Sequence, residues 1–264
     1  MVFTRATLLL GATLVLGSAQ GALAADLGNY GGGSIKDGGY AMPVEASRPS
    51  IYLRFDGTYS TYDDPVVTED HLFDLIGASI DSNWGYGGGV GMYFGHGFRG
   101  DLTVDHLSES TVTANLADPL ADLPGVRKFG LSSTVALANL YYDFDMGNRF
   151  TPYIGAGLGF TRNETSSGTV TDPCGCLSGS IGGGSDTHVA GAAMAGFQIK
   201  LRERLSFDAG YRFLYLGEVA TGPIKAKFTQ NHNNFNAGDV VSQDPLVEDI
   251  HAHEFRLGLR YDIN

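Results

Sequence analysis

The run His253-Glu254-Phe255-Arg256-Leu257-Gly258-Leu259-Arg260-Tyr261-Asp262-Ile263 alternates with a period of two. His253, Phe255, Leu257, Leu259, Tyr261 and Ile263 share one face; Glu254, Arg256, Gly258, Arg260 and Asp262 share the other. Successive side chains of a strand point to opposite sides, so the run predicts a strand that is oily on one face and charged on the other. Residues 205–215 repeat it, with Leu205, Phe207, Ala209, Tyr211, Phe213 and Tyr215 opposite Ser206, Asp208, Gly210 and Arg212. In residues 51–59, Ile51, Leu53, Phe55 and Tyr59 oppose Tyr52, Arg54, Asp56 and Thr58.

Five further segments, 84–94, 99–108, 131–145, 152–162 and 188–200, carry the alternation less cleanly and bring the predicted total to eight strands. Each reaches the ~9–11 residues that a tilted strand needs to cross a bilayer. Connections of about four residues alternate with connections of roughly 20 to 35, as in an up-and-down membrane barrel with short periplasmic turns and long extracellular loops. The expected fold is all-β: an eight-stranded antiparallel up-and-down transmembrane β-barrel over residues 50–264. Its four long extracellular loops are expected at 62–83, 109–130, 163–187 and 217–250, and an even strand count places both termini in the periplasm.

A soluble barrel also has two unlike faces, but it buries the oily one. Here the polar face collects Arg54, Arg99, Lys200, Arg212, Arg256 and Arg260 against Asp56, Asp101, Asp105, Asp143, Asp208, Glu254 and Asp262. Near-balance suits a narrow lumen in which charges pair, because an unpaired charge away from water is very costly. A wet outer surface would instead carry the acidic excess of the whole chain, 29 Asp and Glu against 17 Lys and Arg. Gly85, Gly87, Gly89 and Gly91, with Gly155, Gly157 and Gly159, leave two walls bare for long Arg and Tyr side chains from the opposite walls. Eight strands enclose room for side chains and no aqueous channel, so a plugged barrel without large conductance is expected.

Composition narrows the function classes. A net charge of −12 excludes a nucleic-acid binder that works by neutralising phosphate. Residues 1–24 read as a signal peptide, with Arg5 in the basic n-region, an apolar stretch from Leu8 to Leu16 and the small-residue site Ala22-Leu23-Ala24. Residues 25–49, with Gly31-Gly32-Gly33, Pro43 and Pro49, read as a flexible periplasmic segment that cannot bury enough apolar surface to offset its ordering entropy.

Three stretches resemble the small outer-membrane β-barrel family of Gram-negative surface antigens, the opacity-type and related porin-like proteins. They are Ser34-Ile35-Lys36-Asp37 followed at a distance by Ile51-Tyr52-Leu53, the glycine-alternating Thr151 to Gly159, and Arg256 to Ile263. The last, through Arg256, Gly258, Tyr261 and Ile263, looks like the signal read by the barrel assembly machinery, although such chains usually end in an aromatic residue and this one ends in Asn264. The resemblance implies an outer-membrane location and a role in membrane integrity, adhesion or surface antigenicity, without naming a ligand.

Candidate chemistry is sparse. Cys174-Gly175-Cys176 is expected to form a disulfide in an oxidising envelope, since two thiols alone make a poor zinc site. His106-Leu107-Ser108-Glu109 is the one enzyme-like pattern: alternation sets His106 and Ser108 on the outer face and Glu109 on the opposite one, away from the base it would have to orient. His251 and His253 share an outward face near Glu248 and Asp249 and read as interfacial, and Asn231-His232-Asn233-Asn234 reads as solvated loop. The expectation is therefore no catalytic residue, no metal and no cofactor. The expected function is structural and interactive, with a small porin-like channel and a lipid-modifying enzyme using His106 and Ser108 as alternatives. Expected partners are outer-membrane lipids including lipopolysaccharide, the assembly machinery, and a host or surface ligand at the acidic loops.

Overall fold

Among the described residues every regular element is a strand: β1 (Ile51–Tyr62), β2 (Val66–Thr68), β3 (Asp74–Ile80), β4 (Asn83–Gly95), β5 (Phe98–Ala117), β6 (Gly125–Asp143), β7 (Phe150–Thr165), β8 (Gly168–Thr171), β9 (Leu177–Ile181), β10 (Gly184–Lys200), β11 (Leu205–Ala220), β12 (Ile224–Phe228), β13 (Val240–Gln243) and β14 (Leu246–Asp262). The computed structural model describes residues 50–68, 74–117, 125–171, 177–229, 237–238, 240–243 and 246–263. The signal peptide, the segment 25–49, Cys174, Cys176 and residues 231–234 lie outside the described residues.

The eight long strands correspond to the eight predicted ones. All their pairings are antiparallel and run β1–β4–β5–β6–β7–β10–β11–β14, and β14 pairs again with β1. The register brings like faces together: Arg54 lies opposite Arg260, Asp56 opposite Gly258, and Phe55 opposite Leu259. Consecutive long strands meet at short turns after β4, β6 and β10. The first is the pair His96-Gly97 with φ of 54° and 83°, the two positive values that let a two-residue hairpin follow the twist of its strands. Ile263 donates to the Ile51 carbonyl at 2.8 Å, so the first and last described strand ends meet at this same short-turn end.

Burial decides which face is inside. On β1, Tyr52, Arg54, Asp56, Thr58 and Ser60 are buried, while Phe55 is 64% exposed; Trp84 and Leu158 are 70% exposed. The polar face is the interior and the oily face looks out, the reverse of a water-soluble barrel.

Two expectations need correction. The interior is not ionic throughout. Beyond Arg212 and Glu254, toward the long-connection end, Leu107, Val135, Leu214, Leu216 and Ile250 belong to a buried apolar cluster. The intervals read as loops are also not loop throughout. β5 and β6 run on past the predicted strand ends, β8 pairs with β6 and β9, and β12 pairs with β9 and β13. Sequence such as Thr169-Val170-Thr171 is β-branched and alternating, and the backbone groups of an extended hairpin find partners on the next hairpin.

The glycine walls are filled, but from the neighbouring strands rather than from the opposite wall, because Gly87, Gly91 and Gly155 lie directly across the ladder from Asp105, Tyr52 and Tyr141. A Cβ on Gly87 would overlap the Asp105 carboxylate, one on Gly91 the Tyr52 ring, and one on Gly155 the Tyr141 ring. Gly57 faces outward, with its nearest neighbour the Leu257 carbonyl at 3.9 Å. Gly87→Val is expected to destabilise the barrel by about 1–3 kcal/mol, whereas Gly57→Val should lie within about 0.5 kcal/mol of the parent. The temperature at which the folded band is lost in heat-modified gel migration compares the two.

Candidate functional site: the filled lumen and its rims

Arg54 reaches from β1 across the short-turn half of the interior. Its Nε and Nη2 donate to Asp56 at 2.8 and 2.9 Å, and Nη1 donates to Asp101 and to the Tyr141 hydroxyl, both at 3.0 Å. Arg256 Nη2 donates to Asp56 at 3.1 Å and lies 3.7 Å from Asp105. Arg212 donates through Nη1 to Asp105 at 2.6 Å and through Nε to Glu254. One end of this network is Arg99, whose Nε forks onto Asp143 at 2.8 and 2.9 Å with its guanidinium 3.8 Å from the Tyr141 ring centre. Arg260 donates to Asp208 and to Gln198, each at 2.5 Å, and the Tyr153 hydroxyl donates to Asp208 at 2.7 Å.

Alternation thus brings together nearly all of the predicted filling. Asp262 sits at its edge, half-buried and accepting from the Tyr93 hydroxyl at 3.3 Å. Lys200 is the correction: it is exposed at the last position of β10, past the innermost layer, where Gln198 meets Arg260 instead. Alternation specifies a face and not a depth. Tyr141, Tyr153, Asn139 and Met194 complete the lumen, and only the strand phase they share with the charged residues could have pointed to them.

Outside, aromatic rings gather at two levels. Near the short turns, Phe98 meets Tyr142 at 5.1 Å and Phe150 meets Phe197 at 5.2 Å between ring centres. Toward the long connections, Tyr59 meets Trp84 at 4.9 Å, Tyr86 meets His106 at 5.6 Å, and His251 stacks on Phe213 at 5.4 Å. Exposed Leu102, Val104, Leu140, Ile154, Leu158 and Leu257 lie between.

The enzyme-like residues fall in the second level. His106 Nδ1 bonds Thr134 Oγ1 at 3.2 Å, across to β6. Glu109 does not face the interior, as alternation required. The β5–β6 register slips between Leu107 and Ser110, both buried, so Ser108 and Glu109 together occupy the bulge and Glu109 is exposed. His253 shares a 2.5 Å hydrogen bond with the Tyr211 hydroxyl and stands 3.1 Å from Asp63, just past the end of β1. Of the residues expected to form an assembly signal, Arg256 and Gly258 face the lumen, where a Cβ on Gly258 would overlap Asp56, while Tyr261 and Ile263 are exposed on the outside.

A cyclic antiparallel pairing with charges within and hydrocarbon without defines a membrane β-barrel. The profile of the family described as "Outer membrane protein beta-barrel domain" matches residues 9–262, and the chain belongs to that family. An uncharacterised protein of Brucella abortus is 26% identical over 219 residues, 77% of each chain. Outer membrane protein PagN of Salmonella typhimurium is 28% identical over 128 residues, 48% of each chain. The solved Neisserial surface protein A superposes with a TM-score of 0.40 at 18% identity, covering 81% of this chain and 97% of its own.

Removing one member of a buried ion pair strands the other, at about 3–5 kcal/mol. Arg212→Met should therefore lower the unfolding free energy by that amount, because Glu254 would lose its guanidinium partner while Asp105 kept only Arg256 at 3.7 Å; adding Glu254→Gln should restore part of the loss. Trp84 is the chain's single tryptophan and lies on the outer wall, so urea titration of its fluorescence in lipid vesicles reads both changes.

Proposed function

We propose that this protein is a plugged outer-membrane barrel with a structural and surface-interaction role, in which the short turns face the periplasm and the extended hairpins project outside the cell. The observation that carries this reading is the two-part filling. Above an ionic layer in which Arg212 bridges Asp105 and Glu254 lies a layer of Leu107, Val135, Leu214 and Ala252, all buried. A water path must be continuous and polar; hydrocarbon side chains across its width leave no partners for water. What remains available for contact is the outer surface, with oily strands to hold the lipid and long hairpins to meet what lies beyond it. The exposed Tyr261 and Ile263 support a reading of the last strand as the handle for the assembly machinery, since both stay accessible from outside the barrel.

Two measurements test the reading together. In planar bilayers the protein is expected to give no steady open-channel steps, and regular steps would replace the plug with a small channel. An epitope inserted after the exposed Gly238 should be cleaved by protease on intact cells, and one at the Asp145–Gly147 turn only after the outer membrane is opened. Tyr261→Ala is expected to reduce the amount of folded, heat-modifiable protein in the outer membrane without changing the unfolding midpoint of the fraction that inserts.

A further inference from the structure

Beyond the second aromatic level the wall continues, and its register aligns an unusual set of residues. Thr113 lies opposite Lys128, Lys128 opposite Thr169, Thr169 opposite Ser180, and Ser180 opposite Lys225. Two residues away runs a second row, Asn115, Val126, Thr171, Ser178 and Lys227. The lysines and the hydroxyl residues of β8 and β9 in these rows are exposed, whereas Arg127, Phe129, Val170 and Ile181 between them are buried, so the two rows form one outer face. No acidic residue occurs in either row, on a chain with 29 acids against 17 bases. Strands ~4.8 Å apart put Lys128 and Lys225 about 14 Å apart, with Lys225 and Lys227 about 7 Å apart along one strand.

Such a face offers compact cations for phosphate and hydroxyls that both donate to and accept from sugar hydroxyls. Its direction selects the source. Lower on β6 the same face carries Ala136, Ala138 and exposed Leu140, which lie in the oily band. The Lys and hydroxyl rows therefore look sideways, over the polar region of the lipids around the barrel, and not upward toward another cell. We propose that this face binds the phosphorylated core oligosaccharide of lipopolysaccharide in the same membrane, by direct contact of Lys128, Lys225 and Lys227 with its phosphates. The inference rests on the outward placement of the hairpins proposed above.

The test uses the full protein in lipid nanodiscs, titrated with lipopolysaccharide that carries its phosphorylated core and, separately, with lipid A alone. The parent should prefer the core-bearing form. Lys→Gln changes should weaken that binding about fivefold each, the scale of one surface cation against an anionic membrane, and the triple variant should lose the preference. Since all three lysines are exposed, the variants should keep heat-modifiable migration, which serves as the folding control. Equal binding of both lipids by the parent, or unchanged binding by the folded triple variant, overturns the proposal. So does tighter binding of a soluble sulfated polysaccharide than of the core-bearing lipid, which would assign the face to a foreign glycan. An epitope after Gly238 that stays protected on intact cells would overturn the orientation beneath the proposal. An accessible epitope with unaltered lipid binding would overturn the proposal alone.

Discussion

The structure depends on placing guanidinium and carboxylate groups inside a ring too narrow for water to solvate them. Each charge must therefore find a protein partner, and each partner needs room that eight inward-facing walls do not supply by default. The glycines of β4 and β7 supply it. A side chain on Gly87 or Gly155 would occupy the space of Asp105 or Tyr141, so bare walls are a condition for the filled ones. The same condition fixes the register. Asp56 faces Gly258 across the β1–β14 pair, and a slip of one residue would turn Arg256 and Arg260 toward hydrocarbon while drawing Leu257 and Leu259 inward. Packing and pairing thus specify one alignment at the seam where the first and last long strands meet.

Toward the long connections the lumen changes character. Arg212, held between Asp105 and Glu254, is the last arginine of the network, and the next inward positions on its own strand are Leu214 and Leu216. A guanidinium there would need, as Arg212 does, carboxylates to pair with. Hydrocarbon has no such requirement and fills the width with dispersion contacts. The few polar groups at this level pair locally: Ser133 donates to Asn163 at 2.7 Å, and Asn163 donates to the Leu216 carbonyl at 2.9 Å.

These two regimes explain which parts were legible in the sequence. Where the inside is charged and the outside oily, as in residues 51–59 and 253–263, alternation exposes strand, phase and lumen residues at once. Where both sides are apolar the signal cancels: Phe213-Leu214-Tyr215-Leu216 and Val135-Ala136-Leu137-Ala138 read as undivided apolar runs, although their members part to opposite faces. The residue types of Leu214 and Phe213 do not separate inward from outward; only the phase carried on from Asp208 and Arg212 does. The bulge at Ser108 and Glu109 was hidden for a related reason, since a phase change of one residue leaves no mark in composition. Lys200 had the right phase at the wrong depth. The short strands β8, β9 and β12 read as loop in the sequence, because their Ser, Thr and Gly content is that of a loop. What makes them strands is hydrogen bonding to hairpins far away in the chain.

Along one strand the two faces change in opposite directions. On β6 the outer positions pass from Tyr142 and Leu140 through Ala138 and Ala136 to Thr134, Ser132 and Lys128, while the inner positions pass from Tyr141 and Asn139 to Leu137, Val135, Ser133, Leu131 and Phe129, with Arg127 buried beyond them. Each face answers to what lies across from it. Where the outside is oily, polar groups are confined to the interior and must be paired there; where the outside turns polar, the interior can be largely apolar. The crossover falls within about two residues of the level of His106 and Thr134, where the aromatic rings gather as they do at a membrane–water boundary. The inner and outer gradients come from different side chains, yet they locate the boundary at the same height. That agreement is the physical argument for a barrel that is inside-out below this level and built like a water-soluble protein above it.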